Sequence, residues 1–162
     1  MMIDLQPRMG RALVVGGGRI ALRKVRSLSE GGFETAVVAP EIGAEIRALA
    51  GVICIEREFR DGDITGPAAF ALVFACTDRR EVNRRVGALA RAAQIPVVVT
   101  DAQSESTFFT PAILRDAEVT VAVSTGGASP KAAREIRELI AGALGSGFGL
   151  ALEAGRTHKP GS

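Results

Sequence analysis

Gly16-Gly17-Gly18-Arg19-Ile20-Ala21 decides how this chain folds. The hexapeptide matches G-x-G-x-x-A. It stands between a short apolar run at 11–15 and a stretch of helical periodicity at 20–29. A strand passing through a glycine turn into a helix opens a βαβ unit that binds a dinucleotide. Gly16 permits the tight turn. Gly18 lets the backbone approach a pyrophosphate without a Cβ clash, and Ala21 lets the helix pack close to the sheet. Arg19 and Ile20 begin a helix whose N-terminus offers free N–H groups and partial positive charge to an anion.

Outward from this loop, apolar runs and helical patterns alternate. Gly31-Gly32 stops the first helix. A strand at 35–39 ends at Pro40, and 41–50 reads as a helix. Strands follow at 52–55 and 70–76, a helix at 81–93, and a strand at 96–100. Alternation at this spacing means right-handed crossovers and a parallel sheet, with 3-2-1-4-5 the natural strand order. The pattern then changes. Phe108, Phe109, Pro111, Ala112 and Ile113 form an apolar stretch interrupted by proline, and 118–123 reads as a strand. A Gly/Ser loop at 124–129 precedes a helix at 130–144, opened by Pro130. From Gly145 the chain is Gly-rich and reads as a poorly ordered tail. The fold class is therefore α/β: a Rossmann-like, doubly wound parallel sheet at 1–105, a small α+β extension at 106–144, and a disordered tail at 145–162.

Composition agrees. The chain has 162 residues, enough for one domain with a short appendage. Seven Phe and no Trp or Tyr leave the core to Val, Ile, Leu and Ala, which suits strands buried on both faces. A formal net charge of +2 is too weak to point to nucleic acid or to a membrane surface. Cys54 and Cys76 lie inside apolar runs and read as reduced core thiols. The single histidine, His158, lies in the tail, so no resident metal site is expected. No run approaches the roughly 18 apolar residues of a membrane span, and the expected location is the cytoplasm.

Two further segments stand where a doubly wound sheet binds its ligand. Ala39-Pro40-Glu41 ends the second strand, where an acidic residue usually meets the ribose. Glu41 either reaches the ribose hydroxyls beside Pro40 or stands in the first turn of the next helix, favoured by its dipole. No arginine stands at that strand end to meet a 2′-phosphate, which favours NAD over NADP. Ala75-Cys76-Thr77-Asp78, followed by Glu81-Val82-Asn83, lies after the fourth strand. Thr77 and Asp78 can touch the dinucleotide; equally, Asp78 can cap the helix that follows. Asn83, with Arg84 and Arg85, is read on the polar face of that helix.

Taken in order, 16–24 (Gly-Gly-Gly-Arg-Ile-Ala-Leu-Arg-Lys), Val37-Val38-Ala39-Pro40, 75–78 with Val82-Asn83, Asp101, Phe108 with Pro111-Ala112-Ile113, and 124–130 (Ser-Thr-Gly-Gly-Ala-Ser-Pro) resemble the precorrin-2 dehydrogenase and sirohydrochlorin ferrochelatase family. The same module forms the amino-terminal part of sirohaem synthases. The resemblance covers about residues 3–144. The glycine loop is generic, whereas the Ser-Thr-Gly-Gly-x-Ser-Pro segment downstream of it is specific.

The resemblance implies oxidation of precorrin-2, a tetrapyrrole with eight carboxylates, to sirohydrochlorin, with NAD as hydride acceptor. In bifunctional relatives, metal insertion follows. It aligns the family's key aspartate with Asp101, which as a residue type also simply opens turns. It makes Gly16, Gly18, Arg19, Ile20, Ala21, Pro40, Glu41, Thr77, Asp78 and Asn83 the cofactor-binding set. It makes Ser124, Thr125, Gly126, Gly127, Ser129, Lys131 and Arg134 the candidate substrate-binding set, in which backbone N–H groups, hydroxyls and cations meet carboxylates. Ser129 can also cap the helix at Pro130, and Lys131, Arg134 and Arg137 can also form a solvated basic face. The family commonly dimerises through the segment after the fifth strand, so a homodimer is expected, with 106–144 serving dimerisation and substrate binding.

Two departures stand out. Val98 occupies a position where the family often has Asn. One helix and a Gly-rich tail stand where the family continues into a longer helical region, so a loosely walled substrate pocket, or one completed by a partner, is expected. The competing reading is a module that binds NAD or a tetrapyrrole without catalysis.

Overall fold

The computed structural model describes residues 2–66, 70–116 and 119–145. From Arg11, strands and helices alternate: β1 Arg11–Val15, α1 Arg19–Glu30, β2 Thr35–Ala39, α2 Ala44–Arg47, β3 Val52–Glu56, α3 Gly62–Thr65, β4 Phe70–Ala75, α4 Arg80–Ala92 and β5 Val97–Val99. The five strands pair in parallel in the order β3-β2-β1-β4-β5. This is the doubly wound sheet expected from the alternation.

The strand side chains divide into two cores because successive residues point to opposite faces. Ala12, Val14, Val37, Ala39, Leu72, Phe74 and Cys76 pack on one face with α1 and α2. Leu13, Val15, Ala36, Val38, Val73 and Ala75 pack on the other with α3 and α4. Helix α1 forms because Ala21, Leu22, Val25 and Leu28 recur at helical spacing and bury one stripe. Each fully buried Val or Leu contributes about 1.5–3 kcal/mol relative to exposure. Helix α4 approaches β5 closely at Gly87, where a Cβ would stand 2.8 Å from Val99 Cγ2.

The structure differs from the sequence reading in particular places. The helix expected at 41–50 shrinks to α2, because the 40–43 segment turns back over the glycine loop, where Gly43 N–H donates to Gly17 O at 3.1 Å. Helix α3 was not expected. Cys54 is only half-buried, since β3 is an edge strand. The thiols of Cys54 and Cys76 are both free.

The chain divides into two compact units between Phe108 and Phe109. In the second, β6 Ala112–Asp116 pairs antiparallel with β7 Val119–Val123, and α5 Pro130–Leu144 packs on both. β6 lies in the stretch that proline made illegible as a strand: it begins directly after Pro111, so the missing N–H falls outside the ladder. The expected tail lies, from 146 onward, outside the described residues. No described helix is long and apolar enough to cross a membrane.

Candidate functional site

The register of the sheet places the motifs on one edge. Val15 is level with Val38 and Ala75, Val38 with Ile55, and Ala75 with Val99. Backbone hydrogen bonds carry the alignment one residue further: Gly16 N to Val38 O at 2.9 Å, Cys76 N to Val15 O at 2.8 Å, and Thr100 N to Ala75 O at 3.1 Å. Gly17, Thr77 and Asp101 come next. They leave the carboxyl edge, where ligands of open α/β sheets bind.

Each glycine of the loop has a different reason to be there. Gly16 has φ 124°, and a Cβ on it would stand 2.5 Å from Cys76 O. At Gly17, the position the motif leaves open, a Cβ would stand 2.0 Å from Glu41 O. At Gly18 a Cβ would meet nothing within 4 Å. Protein packing therefore demands the first two glycines, whereas the third faces open space. No side chain caps α1, so its first-turn N–H groups stay available to an anion.

That space is a cleft of ≈ 1350 Å³. Gly16, Gly18, Arg19, Ile20, Pro40, Glu41, Thr77 and Asp78 line it. Ala21 is fully buried beneath it, in the core under α1. Asn83 is also fully buried, which corrects its assignment to a polar helix face: its side chain turns inward and grips Thr77. Asp78 does not cap α4. The N-cap is Arg79, and no side chain caps the helix there.

The cleft also gathers residues outside the expected cofactor-binding set. Arg79 joins Glu58, after β3, at 3.2 Å and Glu81, in α4, at 2.8 Å. The Glu81 carboxyl is held below its usual range by its own backbone N–H and then by Arg79. Arg84 and Arg85 line the same cleft from α4. Glu58 is 21 residues from Arg79, so no local pattern announces the pair.

Asp101 lies one residue beyond Thr100, whose hydroxyl donates to Ala75 O at 2.9 Å. Its neighbour Cys76 is buried, and burial pushes the thiol up to about 12, so it stays protonated. Lys24 of α1 lies 5.6 Å from the centroid of the Phe74 ring. Burial lowers its ammonium below the ordinary lysine range, and Cys76 opposes that shift. The segment beyond Asp101 is fastened to β5 by side chains: Ser106 Oγ accepts from Val99 N at 2.9 Å and Thr107 Oγ1 from Val97 N at 2.8 Å. Phe108 completes the fastening, edge-on to Phe74 at 5.7 Å. Val98 packs against the core on the α1 side, so an apolar contact stands where the resemblance suggests an amide.

The model of a putative NAD(P)-binding family matches residues 1–112, and that of the sirohaem biosynthesis protein central segment matches residues 119–143. The chain belongs to this putative NAD(P)-binding family. It is 42% identical over 149 residues to the siroheme synthase of Ectopseudomonas mendocina (strain ymp), an alignment covering 91% of this chain and 31% of that protein. It is 44% identical over 137 residues to the siroheme synthase of Pseudomonas aeruginosa (strain UCBPP-PA14), covering 83% and 28%. The chain thus spans less than a third of these relatives. Among solved structures it is similar to SirC, precorrin-2 dehydrogenase, with a TM-score of 0.72 and 26% identity over 91% of this chain and 72% of that one.

The sirohaem central segment coincides with β7, the Ser/Gly loop and α5 of the second unit. The loop is tied by its own bonds. Thr125 Oγ1 accepts from Ser129 N at 3.0 Å and donates to Ser129 O at 3.1 Å, and Ser124 Oγ accepts from Gly126 N at 3.2 Å. Gly126 and Gly127 adopt φ of 61° and 85°, a turn that side chains resist. Ser129 Oγ accepts from Ala132 N at 3.1 Å, so the helix cap is present, with Pro130 behind it. Lys131 is exposed and 3.7 Å from Glu135; Arg134 is exposed; Arg137 pairs with Glu138.

Proposed function

We propose that this chain oxidises precorrin-2 to sirohydrochlorin with NAD⁺, releasing NADH and a proton. One observation carries the reading. A glycine-loop cleft and Asp101 leave the same carboxyl edge, in a chain of the putative NAD(P)-binding family that is similar to siroheme synthases.

The residues present fit a dinucleotide. The open face of Gly18 gives a pyrophosphate room, and the uncapped start of α1 supplies N–H donors to it. Glu41 stands at the end of β2 to accept from ribose hydroxyls. A carboxylate there repels a 2′-phosphate, which supports NAD over NADP. Thr77, held by Asn83, and Asp78 form the facing wall. When bound, NAD⁺ supplies the hydride acceptor. Asp101 takes the proton released as the hydride leaves the tetrapyrrole, so two hydrogens go and the charge balances.

The second unit serves the substrate and the assembly in this reading. The 124–129 loop receives substrate carboxylates at its N–H groups and hydroxyls, with Lys131 and Arg134 adding charge. Ile136, Leu139 and Leu144 are exposed on α5, Leu139 at 73%, which supports a homodimer that covers them. Reduced thiols and an NAD(P) cofactor support a cytoplasmic location. Sirohydrochlorin is itself the substrate for metal insertion, a further activity that a separate assay addresses.

The test is an anaerobic assay with fresh precorrin-2 and NAD⁺, following NADH and sirohydrochlorin together. Equal yields support the dehydrogenase. NAD⁺ binding without NADH formation leaves a binding module instead. Fe²⁺ added to preformed sirohydrochlorin tests chelation separately.

A further inference from the structure

Arg79 is tied by two carboxylates. Its Nε donates to Glu81 Oε1 at 2.8 Å and its Nη1 to Glu58 Oε1 at 3.2 Å. The N–H bonds of a guanidinium lie in its plane, so both partners hold its edge and leave its flat faces unused. The side chain is 57% exposed, so those faces are open to the cleft it lines. The backbone below is held as well: Thr77 Oγ1 accepts from Arg79 N at 3.2 Å, and Asn83 grips Thr77. Exposed ion pairs contribute little to a fold. What these contacts achieve is to fix one flat cation at the mouth of the cleft.

The strand order says which part of a dinucleotide meets it. The glycine loop follows β1, in the middle of the sheet, whereas Asp101 follows β5 at one side and Glu58 and Phe59 follow β3 at the other. With its pyrophosphate on the glycine loop and its nicotinamide toward Asp101, a dinucleotide sends its adenosine toward β3. Arg79 leaves the end of β4 and joins Glu58 past β3. Strands β1 and β2 lie between, so the bridge spans that half of the cleft. Beside it, Phe59 and Val82 line the cleft and pack against the core on the α4 side. An apolar surface next to the open face of a guanidinium suits a flat, π-rich base.

We infer that Arg79, held by Glu58 and Glu81, is the platform on which the adenine base of the dinucleotide stacks. The inference rests on the dinucleotide reading of the cleft and adds the residue that recognises the base.

The experiment uses the full chain with Arg79→Met, Arg79→Lys and Glu58→Gln, and measures binding of NAD⁺ and of its two halves, 5′-AMP and nicotinamide mononucleotide, by calorimetry and ligand-detected NMR. Arg79→Met raises Kd for NAD⁺ and 5′-AMP about tenfold. Arg79→Lys loses nearly as much, because an ammonium keeps the charge but has no face to stack on. Glu58→Gln, which frees one edge of the platform, raises both constants about threefold. Kd for nicotinamide mononucleotide stays at its wild-type value in all three. The inference is overturned if folded Arg79→Met binds 5′-AMP as tightly as wild type. It is equally overturned if Arg79→Lys matches wild type, which would make charge alone the cause, or if both halves weaken together, which would make Arg79 merely structural. Should Arg79→Met not fold, Arg79→Lys and Glu58→Gln decide by the same comparison. A wild-type chain that binds neither NAD⁺ nor 5′-AMP removes the dinucleotide reading and the platform with it, whereas variants that match a binding-competent wild type remove the platform alone.

Discussion

Asn83 holds Thr77 at three points. Its Oδ1 accepts from Thr77 N at 3.0 Å and from Thr77 Oγ1 at 2.7 Å, and its Nδ2 donates to Thr77 O at 2.9 Å. Asn83 is fully buried in the first turns of α4, while Thr77 lines the cleft. The amide thus fixes a ligand-facing backbone segment to a helix. Both amide ends are used, so their orientation follows from the hydrogen bonds themselves.

Asn83→Ala leaves the Thr77 N–H and C=O without this partner beneath the cleft. The expected cost is about 1–3 kcal/mol of stability, the price of a buried polar group left unmet. NAD⁺ affinity falls with it, as the wall at Thr77 loosens. Asn83→Asp keeps the acceptor but loses the donor to Thr77 O, and buries a charge, so it is destabilised further as pH rises above the carboxylate range. Chemical denaturation at two pH values, with NADH fluorescence titration, reads both effects. Wild-type stability in Asn83→Ala would remove the bracket from the account.

Gly17→Ala and Gly18→Ala separate packing from ligand approach. The first places a Cβ 2.0 Å from Glu41 O, so the β2–α2 loop must move; a loss of more than about 2 kcal/mol is expected. The second meets no protein atom within 4 Å and folds normally, but it intrudes on the pyrophosphate and weakens NAD⁺ binding. Melting temperature and NAD⁺ titration, measured on both, must therefore rank the two variants differently.

Asp101→Asn preserves shape and removes the proton acceptor. The chain should fold and bind NAD⁺ while kcat for precorrin-2 drops by about 100-fold or more. Full turnover in this variant would assign proton transfer to another group.

Asp63 ties its loop together. Arg57 donates to both of its oxygens, at 2.8 and 2.5 Å, and Arg60 N donates at 2.8 Å. The Arg57 guanidinium, and then the Arg60 N–H, hold the Asp63 carboxyl below its usual range against the opposing effect of burial. A depressed carboxyl stabilises the fold above its unfolded value of about 3.9, and that stability is lost as pH falls through the lower folded value. Asp63→Asn should therefore cost about 2 kcal/mol at pH 7. It should cost progressively less below about pH 4, as urea unfolding at the two ends of that range will show. Parallel stability curves for the two proteins would mean that the ion pair contributes nothing.

What the sequence determined is what repeats locally. Strand alternation and helical spacing specify β1 to β5 and α1, α4 and α5, because a buried face leaves its period in the chain. The glycine loop was legible because the spacing of Gly16, Gly18 and Ala21 between a strand and a helix is a local pattern. Tertiary structure decided what depends on distant partners. Gly17 is required by Glu41 and Gly43, which return over it from the end of β2. Asn83 reads as a surface amide until Thr77 is found beneath it. Arg79 and Arg80, adjacent in the chain, part company only in space. One joins Glu58 and Glu81 at the cleft, and the other stands between Glu105 and Asp101. A side chain that bridges two loops follows from where the sheet brings those loops, and no periodicity records it.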